Sequence, residues 1–231
     1  MLKVKTKDDI HSDGIKCLIY GESGNGKTSL AATLDMSKTL VISFESGLLS
    51  VLDEEGGDKI QYVEPTNLGD LKDIYDELEG NPDFAAKYDT IFIDSLSEIS
   101  EMMIDALKKD PTVYTGMKDN MKLYMMAQEK MIGIAKSFRD LKGFNVFMTA
   151  LAATQTTNMV EKLVPSMAGQ KLATKLPPLF DFVFYMNSDS DGKRQLITQP
   201  TNAITAKSRS RKLESAETPN LGAILTKIKG I

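Results

Sequence analysis

Between Gly21 and Thr28 the chain reads G-E-S-G-N-G-K-T, the G-x-x-x-x-G-K-[ST] spacing of a phosphate-binding loop. Gly21 and Gly26 let the backbone wrap closely, so that successive N–H groups from Ser23 to Thr28 can point at one anion. The residues expected to cradle the phosphates are Gly21, Glu22, Ser23, Gly24, Asn25, Gly26, Lys27, Thr28 and Ser29. Lys27 should reach the β- and γ-phosphates, and the Thr28 hydroxyl should ligate Mg2+. A helix opening at the loop would add the positive end of its dipole. Asp94 closes the apolar run IFID and is the expected second magnesium ligand. A carboxylate at the C-terminal end of a central strand sits beside such a loop.

What the triphosphate is used for depends on the rest of the chain. A GTPase would carry a base-reading N-K-x-D, and no such tetrapeptide occurs. A nucleoside kinase would use an arginine-rich lid, but Arg139 is the one arginine in 108–142. A protein-remodelling ATPase of the AAA+ type usually follows the magnesium aspartate with glutamate. Here Ser95 follows Asp94, so the water-activating carboxylate must come from elsewhere. Glu45, in SFESG, is the candidate, expected on a strand next to the phosphate-loop strand and facing the γ-phosphate. Glu98 is held in reserve.

These side chains need a sheet to carry them. Apolar runs at Ile15–Tyr20, Thr39–Phe44, Ile60–Val63, Asp89–Asp94, Phe144–Thr149 and Phe182–Met186 predict strands. Helical spacing follows at Lys27–Leu34, Leu68–Leu78, from Asp94 through Leu107, and over Met121–Leu141. Residues 150–178 read as long and irregular. A turn at Ser188–Gly192 precedes short strands at Arg194–Thr198 and Ala203–Ala206. The alternation predicts an α/β fold, a mostly parallel central sheet with helices on both faces and C-terminal antiparallel strands. No repeat or linker divides it, so 1–231 reads as one domain, with 1–12 expected to be flexible.

The composition is that of a globular protein: 231 residues, 42% hydrophobic, 26% charged and a net charge of −4. That charge argues against a molecule coated in nucleic acid, though a local basic stripe remains open. One cysteine, Cys17, excludes an internal disulfide and reads as a buried strand thiol; with one histidine besides, zinc is not expected. The start, MLKVKTKDDI, has no apolar segment, and no run is long enough for a membrane span, so a cytoplasmic protein without membrane contact is expected.

A phosphate loop, a glutamate after the second strand, and Asp94-Ser95 closing the magnesium strand resemble the RecA-like P-loop NTPase core. Four stretches extend the likeness: DGIKCLIYGESGNGKTSLA, YMMAQEKM, PSMAGQKLATKLPPLFDFVFYM and AKSRSRKL. They look like the small phage-encoded, core-only members often described as phage nucleotide-binding or AAA-family ATPases, some of which are single-strand-annealing recombinases. The resemblance implies ATP with Mg2+, self-assembly with ATP between subunits, and a phage-infected or prophage-carrying bacterial host. It implies that Lys207 and Arg209 of AKSR act on a neighbour's ATP, as the K-x-R pair of such proteins does. Thr149 stands where relatives place an Asn or Gln γ-phosphate sensor, and Gln155 lies too far along to take that role.

The same likeness makes 108–122 and 150–178 the loops facing single-stranded DNA, with Lys108, Lys109, Lys118, Lys122, Lys162, Lys171 and Lys175, and with Tyr114 to stack on a base. A second basic stretch runs from Lys193 to Lys212. The expected function is ATP-dependent recombination or annealing, with a single-strand-binding protein as a further partner. A nucleotide-gated adaptor for a protein, and a replication or packaging motor or loader, are the rival readings.

Overall fold

The apolar runs become strands of one sheet in a computed structural model that describes residues 13–45, 47–157, 159–189 and 191–230. The expected flexible segment 1–12 lies outside those residues. The first half contains β1 (Lys16–Gly21), a 3-10 segment (Thr28–Thr33), β2 (Thr39–Ser43), α1 (Leu49–Leu52), β3 (Gln61–Val63), α2 (Leu68–Gly80), α3 (Pro82–Ala85), β4 (Thr90–Asp94) and α4 (Leu96–Lys109). The second contains α5 (Asn120–Asp140), β5 (Asn145–Thr157), β6 (Val160–Pro165), α6 (Gln170–Lys175), β7 (Phe182–Ser188), β8 (Arg194–Ile197), β9 (Lys207–Ser208), β10 (Ala216–Glu217) and α7 (Leu221–Lys229).

Strands β7, β1, β5, β4, β2 and β3 lie in that order and run parallel. β8 and β10 extend the β7 edge antiparallel, and β9 pairs with the start of β7. Both faces are covered, which is why the strands read as unbroken apolar runs. Along β1, Leu18 and Tyr20 enter a core closed by α2, α4, α5 and α6, through Leu71, Ile99, Met131, Phe138 and Leu172. Cys17 and Ile19 face the other way, towards Leu30 of the 3-10 segment, Val51 of α1 and Ile224 of α7. Cys17 is buried, as expected, and burial pushes its thiol pKa up.

Four elements differ from expectation. The helix expected over Lys27–Leu34 is a 3-10 segment over Thr28–Thr33, whose Leu34 N–H bonds back to Ala31 and whose Thr33 hydroxyl bonds to Leu30. Asp35 then turns the chain by accepting from Ser37. Residues 150–178 are not irregular: β5 runs to Thr157, and β6 returns beside it with Thr157 opposite Val160. The strand expected at Ala203–Ala206 is only a bridge from Ile204 to Leu163, because Thr201 accepts from Ala203 and Ile204 and makes a turn there. Helix α7, capped by Asn220 accepting from Ala223, had no counterpart among the predicted elements.

Candidate nucleotide site

The phosphate loop leaves β1 at Gly21, and Thr149 within β5 and the C-terminal ends of β4 and β2 bring the other groups to it. A β-carbon on Gly21 would stand 2.7 Å from the Met186 carbonyl, so only glycine lets the loop leave β1 so close to β7. The Asn25 amide fastens the loop from the same side, donating to Met186 O at 3.2 Å. Gly24 and Gly26 have φ of 80° and 88°, the left-handed region that turns consecutive N–H groups inward.

Asp94 is fully buried at the end of β4. Thr28 Oγ1 donates to its Oδ2 at 2.6 Å, and Thr149 Oγ1, at the end of the sheet-spanning part of β5, donates to its Oδ1. Burial raises the Asp94 pKa; the two hydroxyls and the Lys27 ammonium oppose that, while the Glu45 charge adds to it. Lys27 is also buried, with Nζ donating to Glu22 O at 2.9 Å. Burial lowers its pKa against the pull of Asp94 and Glu45. An ammonium short of water, flanked by carboxylates and held among the described residues only by a carbonyl of its own loop, is poised to pair with an anion.

Glu45 requires a correction. Its strand, β2, is not next to the phosphate-loop strand: β5 and β4 lie between them. Glu45 nevertheless belongs to the site, because Ser43 at the end of β2 is level with Asp94 and the chain then bends over Ser95. Ser95 Oγ donates to Glu45 Oε1 at 2.6 Å, and Ser43 Oγ donates to the Glu45 carbonyl at 2.6 Å. Gly47 lies against Thr28, a β-carbon there standing 3.5 Å from its hydroxyl. Glu98 sits in the first turn of α4, where Ser95 caps the helix. The serine after Asp94 therefore hydrogen-bonds the carboxylate expected to activate water.

Thr28 and Asp94 suit magnesium, which is bound through few carboxylates and keeps water and phosphate oxygens as its other ligands. Among the described residues no cluster of three or more His, Cys, Asp or Glu side chains forms a fuller metal cage.

Lys207 and Arg209 are not brought to this site. β9 pairs with Phe182 and Val183 at the start of β7, whereas the loop lies at its end, level with Met186. Lys207 Nζ donates to the Pro178 and Phe180 carbonyls, and Arg209 pairs with Asp181. They stand at the opposite end of β7 from their own chain's phosphate loop.

Of the two segments expected to face DNA, 150–178 lines a groove of about 780 Å3 between the start of α5 and the β5–β6 hairpin, whereas 108–122 contributes only Met121 to it. Tyr124, Met125 and Gln128 form one wall, and Thr154, Gln155, Thr156 and Lys171 are on the others. Tyr114 is partly buried against the core, so the exposed ring at the groove is that of Tyr124, on the helix expected over Met121–Leu141 rather than in a segment expected to face DNA. Lys122 donates to Thr112 O at 3.0 Å. No helix among the described residues is long and apolar enough to cross a membrane.

The profile of a family described as an AAA domain matches residues 13–210. The match spans every site residue named above, from Gly21 to Arg209. In a comparison with curated proteins, none matches the chain.

Proposed function

Since the chain belongs to the AAA-domain family of nucleotide-binding ATPases, we propose that it hydrolyses ATP at this site and acts on single-stranded DNA. Its setting would be phage recombination or annealing. The observation that carries the first half is the joint hold on Asp94 by Thr28 and Thr149, with Glu45 fixed over Ser95 beside them. Magnesium, when bound by Thr28 and Asp94, supplies positive charge to the phosphate oxygens. Lys27 exchanges its loop carbonyl for the β- and γ-phosphates. Glu45 takes the proton of the attacking water as the new O–P bond forms. The bond from the γ-phosphorus to the bridging oxygen breaks, leaving ADP and phosphate.

Self-association fits the position of Lys207 and Arg209. Lying at the other end of β7 from their own chain's loop, they would serve the loop of a second copy, with Arg209 leaving Asp181 for the phosphates. The groove supports the DNA reading: it is lined by the 150–178 segment and offers Tyr124 for stacking, with Lys171 on another wall. Its exposed methionines also favour a second reading, a nucleotide-gated adaptor for a protein, since Met121 and Met125 are 79% and 57% exposed.

ATP turnover with and without single-stranded DNA, at two salt concentrations, separates the readings. Stimulation that fades with added salt is expected for a DNA-acting ATPase. Unchanged turnover together with no DNA binding supports the adaptor. In the same assay Arg209→Ala should bind ATP yet lose most turnover; full turnover in that variant removes the role across the subunit boundary.

A further inference from the structure

One cation approaches the phosphate loop from within the same chain, and it belongs to neither the loop nor the Lys207–Arg209 pair. Arg194 opens β8, opposite Ser188 across the β7–β8 hairpin. The hairpin is anchored to the loop, with Asn25 donating to Met186 O and accepting from Ser188 Oγ. Its turn is closed by Asp189, which accepts from the backbone N–H groups of Asp191 and Lys193. The Arg194 guanidinium therefore comes to rest on Gly26. A β-carbon at Gly26 would lie 2.5 Å from Nη1 and 2.9 Å from the central guanidinium carbon, so the glycine leaves the room it occupies.

Of the other three arginines, Arg139 is paired with Asp140 and Arg209 with Asp181, while Arg211, which has no partner among the described residues either, follows β9 rather than lying against the loop. The Arg194 side chain has no hydrogen-bond or ion-pair partner among the described residues, although it is exposed and rests against a loop built to hold phosphate. A planar fork of donors with no partner, set beside an anion cradle, suits phosphate oxygens.

We propose that Arg194 binds the polyphosphate of the nucleotide held by its own chain, as a second cation beside Lys27. The inference rests on the nucleotide reading above, and it adds a contact within one subunit to those expected across two. The β7–β8 hairpin thereby becomes part of the nucleotide site.

Equilibrium binding of ATP and ADP to the purified full chain tests it, with Lys27→Ala as the control. Wild type should bind, and Arg194→Ala should bind about tenfold or more weakly, the loss of one charge-assisted contact, with its melting temperature unchanged. Arg194→Lys, which keeps the charge without the fork, should fall between the two. Equal affinity in wild type and Arg194→Ala overturns the role of Arg194 while leaving the nucleotide site intact. If Arg194→Ala fails to fold, Arg194→Gln takes its place, and wild-type affinity there overturns the proposal equally. Wild type that binds no better than Lys27→Ala overturns the nucleotide reading itself, and this inference with it.

Discussion

At the scale of single residues, Asp94 carries the largest tension in the site. It is fully buried, and its position as a metal ligand requires the ionised form that burial disfavours. Its folded pKa is raised above the ordinary 3.8, so the folded state holds the proton more tightly than the unfolded one. The resulting contribution to stability is complete below about that pH and is lost as pH rises through the raised value. Asp94→Asn should therefore melt a few degrees higher than wild type at neutral pH, without nucleotide, and should lose that part of the pH dependence. It should also lose the thermal stabilisation that wild type gains from ATP with Mg2+. Thermal melts of both proteins across an acid-to-neutral series check this, and a variant less stable than wild type at neutral pH would contradict it. The loop and Asp94 were legible because their chemistry is local in sequence. Arg194 was not, since only the pairing of Ser188 with Arg194 shows which cation of the basic stretch 193–212 returns to the loop.

At the scale of elements, the Tyr20 hydroxyl ties β1 to segments far along the chain. It lies 3.0 Å from the Leu163 carbonyl and 2.7 Å from the Thr205 carbonyl, and accepts from the Thr205 N–H at 3.1 Å. Tyr20→Phe leaves that N–H without its partner in a partly buried place and should cost about 1–3 kcal/mol. Urea unfolding followed by far-UV circular dichroism measures it, and an unchanged midpoint would show that water replaces the hydroxyl. Most strands and long helices were readable because a sheet buried on both faces needs continuous apolar runs, as in IKCLIY and DTIFID. The β5–β6 hairpin was not, for the opposite reason. Beyond Leu151 it projects past the sheet, and its Ala152, Ala153, Thr154, Gln155 and Thr156 are only part-covered or exposed. Its threonines carry the strand preference, but small and polar residues in ALAATQTT also read as loop.

At the scale of the whole molecule, strand order decides what meets. Insertion of β5 between β1 and β4 sets Thr149 between the phosphate loop and Asp94, and lets Glu45 approach from β2 on the far side. Groups spread from residue 21 to residue 149 thus share one end of one sheet, while Lys207 and Arg209 hold the other. Sequence spacing could name these groups but not their order, and so placed β2 beside β1. The cradle and the Lys207–Arg209 pair thus lie at opposite ends of the sheet, the separation that the proposed head-to-tail association needs. Within that arrangement everything depends on Glu45 acting upon water beside a filled loop. Phosphate release by Glu45→Gln, measured alongside its ATP affinity, tests this most directly. The variant should bind ATP about as tightly as wild type and turn it over about 100-fold or more slowly, as loss of a general base does. Turnover at the wild-type rate by a folded, ATP-binding Glu45→Gln protein would contradict it and leave Glu98 or another group to activate the water.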